Sequence, residues 1–170
     1  MNRPKRVSRL RQEFLVRRAS LRDLEVLVRH RRGMWKDVGI GTKSALDEAD
    51  RVYRGWAKAG LMNRSLLGWI AETKDGVAVG SGCIWLQPRQ PRPNRKERVQ
   101  PYLLSMYTEP RYRRKGVASR VLKEAINWCQ KSGYSSLALH ASKYGRRLYT
   151  RRGFTRNWQM RLDLERKSLR

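Results

Sequence analysis

The chain has 170 residues, 39% hydrophobic and 9% aromatic, enough to bury a real core and too apolar for a wholly disordered chain. Forty basic residues against 14 acidic ones leave a formal net charge of +26, which marks either an affinity for an anionic partner or a compositional arginine bias, and says little about fold. Two cysteines and two histidines without ligand spacing exclude a disulfide framework and a zinc site; no apolar run nears the roughly 20 residues that span a bilayer, so a cytoplasmic setting with no membrane is expected, and no metal.

Residues 1–12 (MNRPKRVSRLRQ) read as a basic flexible arm, since no apolar stretch follows to make a secretory signal. A single domain is expected over 13–166. Phe14 to Arg18 is strand-like. Ser20 is an N-cap with Asp23 three residues on, and Leu21, Leu24, Leu27 and Val28 keep helical spacing toward Met34. Gly39-Ile40-Gly41-Thr42 breaks the pattern, placing Met34 and Trp35 in the link between two helices. The second helix runs from Lys43 to Leu61.

Leu66 to Glu72 is a strand and meets Thr73-Lys74-Asp75-Gly76. Asp-Gly between apolar runs is a hairpin signal, with Val77 to Leu86 as the return strand. Gly80 and Gly82 fit a bulge or a close backbone approach. Pro88, Pro91 and Pro93 make Gln87–Gln100 a loop. Tyr102 to Thr108 is the next strand and Lys115 to Lys131 the clearest helix, its stripe being Val117, Val121, Leu122, Ala125, Ile126 and Cys129. Ser135–His140 reads as a strand, Tyr144–Arg152 as a short helix, and Arg156–Leu164 as a last strand. The strand–helix–strand from Tyr102 to His140 implies a right-handed parallel crossover. The hairpin forces antiparallel pairing elsewhere, so the class is α+β with a mixed sheet.

Chemistry concentrates in Tyr107-Thr108-Glu109-Pro110-Arg111-Tyr112-Arg113-Arg114-Lys115-Gly116-Val117-Ala118. A strand ends, a basic turn follows, and a helix opens at a small residue. First-turn amides lack partners within their own helix, and with the helix dipole they attract an anion. Gly116 removes a side chain where a phosphate approaches the backbone, and Arg113, Arg114 and Lys115 add charge. The pattern is neither a P-loop nor a Rossmann fingerprint. An ordinary strand-to-helix turn with solvated cations is the other reading of the same residues.

Arg113-x-x-Gly116-x-Ala118 after Thr-Glu-Pro-x-Tyr resembles the acetyl-CoA-binding motif of the GNAT superfamily of N-acetyltransferases. Leu139-His140-Ala141-Ser142, Gly145-Arg146, Leu148-Tyr149 and Gly153-Phe154 are similar to the family's closing strand and short helix. His30-Arg31-Arg32-Gly33-Met34-Trp35 is similar to a bacterial branch. The resemblance covers roughly Phe14 to Leu164. It implies a mostly antiparallel twisted sheet with helices on both faces and a V-shaped splay between two central parallel strands.

It also implies a cosubstrate, acetyl-CoA. The main chain of Met106, Tyr107 and Thr108 would pair with its pantetheine arm. Amides from Arg113 through Lys115, Gly116, Val117, Ala118 and Ser119 would hold its pyrophosphate, and Ser142 would touch the pantetheine or phosphate side. Tyr149 would stand near the sulfur as general acid. His140 is a base candidate or else a structural histidine at a strand end; Glu109 and Asp37 are further carboxylates in reach of that role or of plain salt bridges. Met34 and Trp35 would line the acceptor groove, and a positive lining favours an acidic or neutral acceptor.

The function expected is acetyl transfer to a primary amine of a small molecule or protein, by direct attack in a ternary complex. Monomer and homodimer are both open. Two other readings stand beside it. One is a nucleic-acid- or ribosome-associated binding protein on the same scaffold, supported by the +26 charge, with non-specific nucleic acid as partner. The other is a CoA-binding regulator without catalysis.

Overall fold

Leu66–Glu72 is buried at nearly every position, as a strand covered on both faces must be. This strand, β2, sits in a computed structural model that describes residues 13–91, 93, 97–162 and 164. The basic arm at 1–12 lies outside the described residues. The chain divides between His140 and Ala141 into a larger and a smaller compact unit.

In the larger unit, β1 (Leu15–Arg18), β2, β3 (Ala78–Pro88), β4 (Val99–Thr108) and β5 (Ala138–Leu139) form one five-stranded sheet in chain order. The first three pairings are antiparallel and β4–β5 is parallel. The α+β class and the mixed, mostly antiparallel sheet are thus as expected. Helices α1 (Leu24–Asp37) and α2 (Lys43–Met62) cover one face, and α3 (Val117–Lys131) covers the other. Strand alternation decides which residue meets which helix. Leu66, Ile70 and Cys83 pack with Leu27, Val28, Tyr53 and Ala57. Trp69 instead meets Trp128 of α3, and Gly82 lies under Val121.

Ser20 closes a capping box ahead of α1. Its hydroxyl accepts from the Arg22 amide at 3.2 Å, and its own amide donates to the Asp23 carboxylate at 2.8 Å. Arg17 then bridges Asp23 (2.7 Å) and Glu72 (2.6 Å), tying the helix entry to β2. Hydrogen bonding from Arg17 holds the Asp23 carboxyl down at about 2.

Met34 and Trp35 lie inside α1, not in the link as the sequence suggested; the link is 38–42. No breaker stops the helix before Gly39 and Gly41, whose φ values are 71° and 92°. Gly33 is kept in mid-helix for packing. A Cβ there would stand 2.5 Å from Cζ of Tyr107.

α3 buries Val117, Val121, Leu122, Ala125 and Cys129 of the stripe read from the sequence, and leaves its Ile126 half-buried. Each such large side chain contributes about 1.5–3 kcal/mol by leaving water. β5 is shorter than the expected 135–140. Its parallel ladder holds only Tyr102↔Ala138 and Leu103↔Leu139, while Ser136 is taken by the Gln100 side-chain amide, which donates to its carbonyl at 3.1 Å.

The smaller unit contains α4 (Arg146–Thr150), shorter than the expected 144–152. The last expected strand, Arg156–Leu164, is not formed: the described residues 154–162 have no regular structure. Trp158 and Met160, within the expected strand, are 99% and 93% exposed. Alternation names the face a strand would bury, but a strand also needs a ladder partner.

Candidate acetyl-donor and acceptor site

β4 carries a bulge at its centre. Ser81 of β3 pairs with Tyr107 and Cys83 with Leu104, so Ser105 and Met106 together face Gly82. Ser105 takes the left-handed conformation, φ 52°. The β4–β5 ladder ends at Leu103, while β4 continues to Thr108. From Leu104 onward the outer edge of β4 therefore has no strand beside it among the described residues. That unpaired edge accepts an extended ligand as a neighbouring strand would. The Thr108 hydroxyl is buried beside Gly80 of β3 with no partner among the described residues.

The edge leads into the basic turn. A 3-10 turn, Pro110–Tyr112, follows Glu109, and Gly116 caps α3 at φ 89°. A Cβ at Gly116 would meet no atom within 4 Å. Arg114 is also left-handed, φ 61°. Backbone of this kind curls amides into anion-binding concavities. Val117 is buried and Ala118 half-buried, while Arg113, Arg114 and Lys115 are exposed.

Arg113 has an unexpected role. Its Nε donates to the Thr108 carbonyl at 3.0 Å, and its Nη2 to Asp37 at 2.5 Å. The side chain thus fastens the turn to β4 and to the end of α1. Asp37, one of the carboxylates weighed as a base, is engaged by this arginine.

Glu109 is engaged as well. It lies 3.4 Å from Nε2 of His30 and 3.7 Å from Nε of Arg29, and the Tyr107 hydroxyl donates to it at 3.4 Å. His30 is fully buried, with Nδ1 2.9 Å from the Ser81 hydroxyl. Burial, helped by the Arg29 charge, lowers its pKa to about 4, so the ring is neutral at pH 7. The column Ser81–His30–Glu109 therefore braces β3, α1 and the turn without a buried cation. Nothing in the spacing of the three residues along the chain announced it.

His140 is exposed at the end of β5, its Nδ1 in contact with the Tyr102 hydroxyl. In the smaller unit, the Ser142 hydroxyl accepts from the Gly145 amide at 3.2 Å, and Tyr149 meets Phe154 edge-on at 5.7 Å. Burial pushes the Tyr149 phenol up to about 12, so it stays protonated and able to donate at neutral pH. In the larger unit, Met106 to Thr108 run along the edge of β4 into the turn that holds Arg113 to Ser119, while Met34 and Trp35 stand on α1 and His140 follows β5. The smaller unit carries Ser142 and Tyr149.

Residues 22–154 match the acetyltransferase (GNAT) family. This chain belongs to the GNAT acetyltransferases. No curated protein matches it. Among solved structures, a GCN5-related N-acetyltransferase from Ralstonia eutropha JMP134 is similar, with TM-score 0.81 and 24% identity, over 89% of this chain and 99% of that one. A predicted acetyltransferase from Clostridium acetobutylicum, solved with acetyl-CoA, has TM-score 0.79 and 27% identity over 89% and 97% of the two chains. A ribosomal-protein-alanine N-acetyltransferase from Brucella melitensis biovar Abortus 2308 shares the fold, with TM-score 0.65 and 19% identity over 89% and 98%.

GNAT acetyltransferases take their acetyl group from acetyl-CoA. The residues present fit that molecule on two observations of this chain: the unpaired edge of β4 from Leu104 to Thr108, and the open cradle at Gly116. Residues that sequence reasoning missed lie on α1 and α2. Arg31 packs on the rings of Tyr53 (4.5 Å) and Trp35 (5.4 Å), and Tyr53 is only 5% exposed. Trp56 meets both Tyr53 and Trp85 at 5.6 Å. Among described helices none is long and apolar enough to cross a membrane.

Proposed function

We propose that this acetyltransferase moves the acetyl group of acetyl-CoA onto the nitrogen of a primary amine, by direct attack in a ternary complex. The observation that carries the reading is the unpaired run of β4 from Leu104 to Thr108, continuous with the turn at Gly116. Main-chain groups of Met106, Tyr107 and Thr108 pair with the pantetheine arm. Amides from Arg113 to Ser119 receive the pyrophosphate, and Ser142 adds a hydroxyl.

Acetyl-CoA supplies a thioester whose carbonyl carbon accepts a neutral amine. The C–N bond forms as the C–S bond breaks, and the electron pair leaves on sulfur. The bulge interrupts the β3 ladder at Ser105 and Met106, and a main-chain amide there would meet the charge that develops on the carbonyl oxygen. Tyr149 gives its phenolic proton to the thiolate. The surplus proton on nitrogen passes to His140 or to water.

Release of free thiol from acetyl-CoA, followed over a panel of primary amines, tests the reading. Amine-dependent release is expected, and Tyr149→Phe should lower kcat by about a hundredfold with little change in KM for acetyl-CoA. A protein that shows no thermal shift with millimolar acetyl-CoA, or that binds it and acetylates no amine, overturns the reading.

A further inference from the structure

Four buried side-chain polar atoms lack a hydrogen-bond partner among the described residues: Arg31 Nη1, Asp50 Oδ1, Tyr53 Oη and Thr108 Oγ1. The Thr108 hydroxyl lies beside Gly80 of β3. The other three come from α1 and α2, and they require their own account, since a buried polar group without a partner is costly.

Two arginines and two aspartates meet between these helices, but they do not share evenly. Arg32 Nη1 takes both carboxylates, Asp50 at 2.6 Å and Asp47 at 2.7 Å. Arg31 takes neither. Its guanidinium packs on the rings of Tyr53 and Trp35, and its buried Nη1 has no partner among the described residues, a donor of the kind that a planar anion satisfies. The guanidinium does not lose its proton, so a permanent charge sits half-buried beside an idle phenol. The Tyr53 hydroxyl lies beside Ser105 and the Cys83 thiol, and completes no hydrogen bond among the described residues. Ser105 is the bulge residue, where β4 has just parted from β5. Tyr53, with Arg31 packed on its ring, therefore lies beside the bulge at which the acetyl group is to be delivered.

Resting on the acetyl-transfer reading above, we infer that the acceptor is an amine that also carries a carboxylate, an amino acid in chemical class, and that Arg31 and Tyr53 bind that carboxylate. Arg31 Nη1 and the Tyr53 hydroxyl are donors, which a carboxylate satisfies. Asp50 Oδ1 is an acceptor, which an N–H satisfies. A diamine or polyamine would bring a second cation up to Arg31 and leave both donors idle.

The test uses the full chain and three matched pairs: glycine and methylamine, leucine and isopentylamine, phenylalanine and phenethylamine. Thiol release gives kcat/KM for each. In at least one pair the acid should exceed its decarboxylated partner by about tenfold or more, the scale of a charge-assisted hydrogen bond. Arg31→Met should bring that ratio near one, and Arg31→Lys should recover part of it. Independently of turnover, calorimetry on the CoA-loaded protein compares N-acetylphenylalanine with N-phenethylacetamide, and the acid should bind at least about tenfold more tightly.

The inference is overturned if no pair prefers its acid and neither the acid nor the amide is favoured in calorimetry, or if Arg31→Met leaves the preference intact. A thermal shift with acetyl-CoA, run on every protein, separates the two failures. Its absence from the wild type removes the acetyl-transfer reading itself. Its presence alongside indifference to the carboxylate removes only this inference.

Discussion

Arg113 and Asp37 lie 76 positions apart in the chain and meet at 2.5 Å, joining the turn before α3 to the last residue of α1. The same arginine holds the Thr108 carbonyl, so one side chain secures both the end of β4 and the entrance to the anion cradle. Both partners are about two-fifths exposed, so solvent screens the pair and its direct worth is at most about 1 kcal/mol.

For Asp37→Ala the expectation follows from that modest figure. Apo stability should barely change, while the turn loses its tether and Kd for acetyl-CoA rises about threefold to fivefold. Calorimetry at fixed ionic strength checks it. An unchanged Kd would show that the tether does not serve the cradle.

At Gly116 the backbone demands a left-handed residue, φ 89°, and the space above it is open. Gly116→Glu adds backbone strain of about 1–2 kcal/mol and puts a carboxylate where a diphosphate is to sit. The apo melting temperature should fall by about 2–8 °C. The acetyl-CoA-dependent rise in melting temperature should vanish altogether. A variant that melts lower yet keeps the full ligand shift would place the diphosphate elsewhere.

Gly33→Ala opposes two effects of known sign. Alanine favours the helix by about 1 kcal/mol over glycine. Against that, its Cβ would come within 2.5 Å of Cζ and 2.7 Å of the hydroxyl of Tyr107, and relieving such overpacking costs about 1–3 kcal/mol. Net destabilisation is expected, with Tyr107 displaced from the cosubstrate strand. Urea denaturation gives the sign, and a more stable variant would mean that Tyr107 swings aside freely.

His30 sets a pH dependence whose sign is the reverse of a paired histidine. Its folded pKa, about 4, lies below the ordinary 6.5, so the unfolded chain binds the proton more tightly. Stability is full above pH 6.5 and falls as pH drops from there toward 4, by up to about 3 kcal/mol. The Asp23 carboxyl, held at about 2, releases its own contribution only at lower pH, through the range from 3.8 to 2. Urea midpoints between pH 7 and 4.5 should drop for the wild type and stay flatter in His30→Gln. Parallel curves would assign the loss to other groups.

Much of this architecture was legible in the chain. The Asp-Gly hairpin, the Ser20 cap and the stripe of α3 are local signals, and each formed where its residues indicated. The turn into α3 was legible for the same reason, because Arg113 to Ala118 are contiguous. Met34 and Trp35 were misplaced because a helix ends at its breaker, and Gly33, packed under Tyr107, is not one. The strand expected at 156–164 is not formed over the described residues there, since a strand needs a ladder partner that its own residues do not specify. Arg31, Asp50 and Tyr53 could not be picked out at all, since each is unremarkable in its own helix and only their meeting leaves polar atoms without partners.

Both cysteines are shut away from solvent. Cys83 and Cys129 are buried, and desolvation pushes their thiols up to about 12 and about 11. Only the deprotonated sulfur attacks an aromatic disulfide reagent, so the native enzyme stays colourless towards such a dye while liberated coenzyme turns it yellow. Any slow extra absorbance from protein alone then times the opening of the sheet around β3, making the reagent a clock for unfolding as well as a meter for turnover.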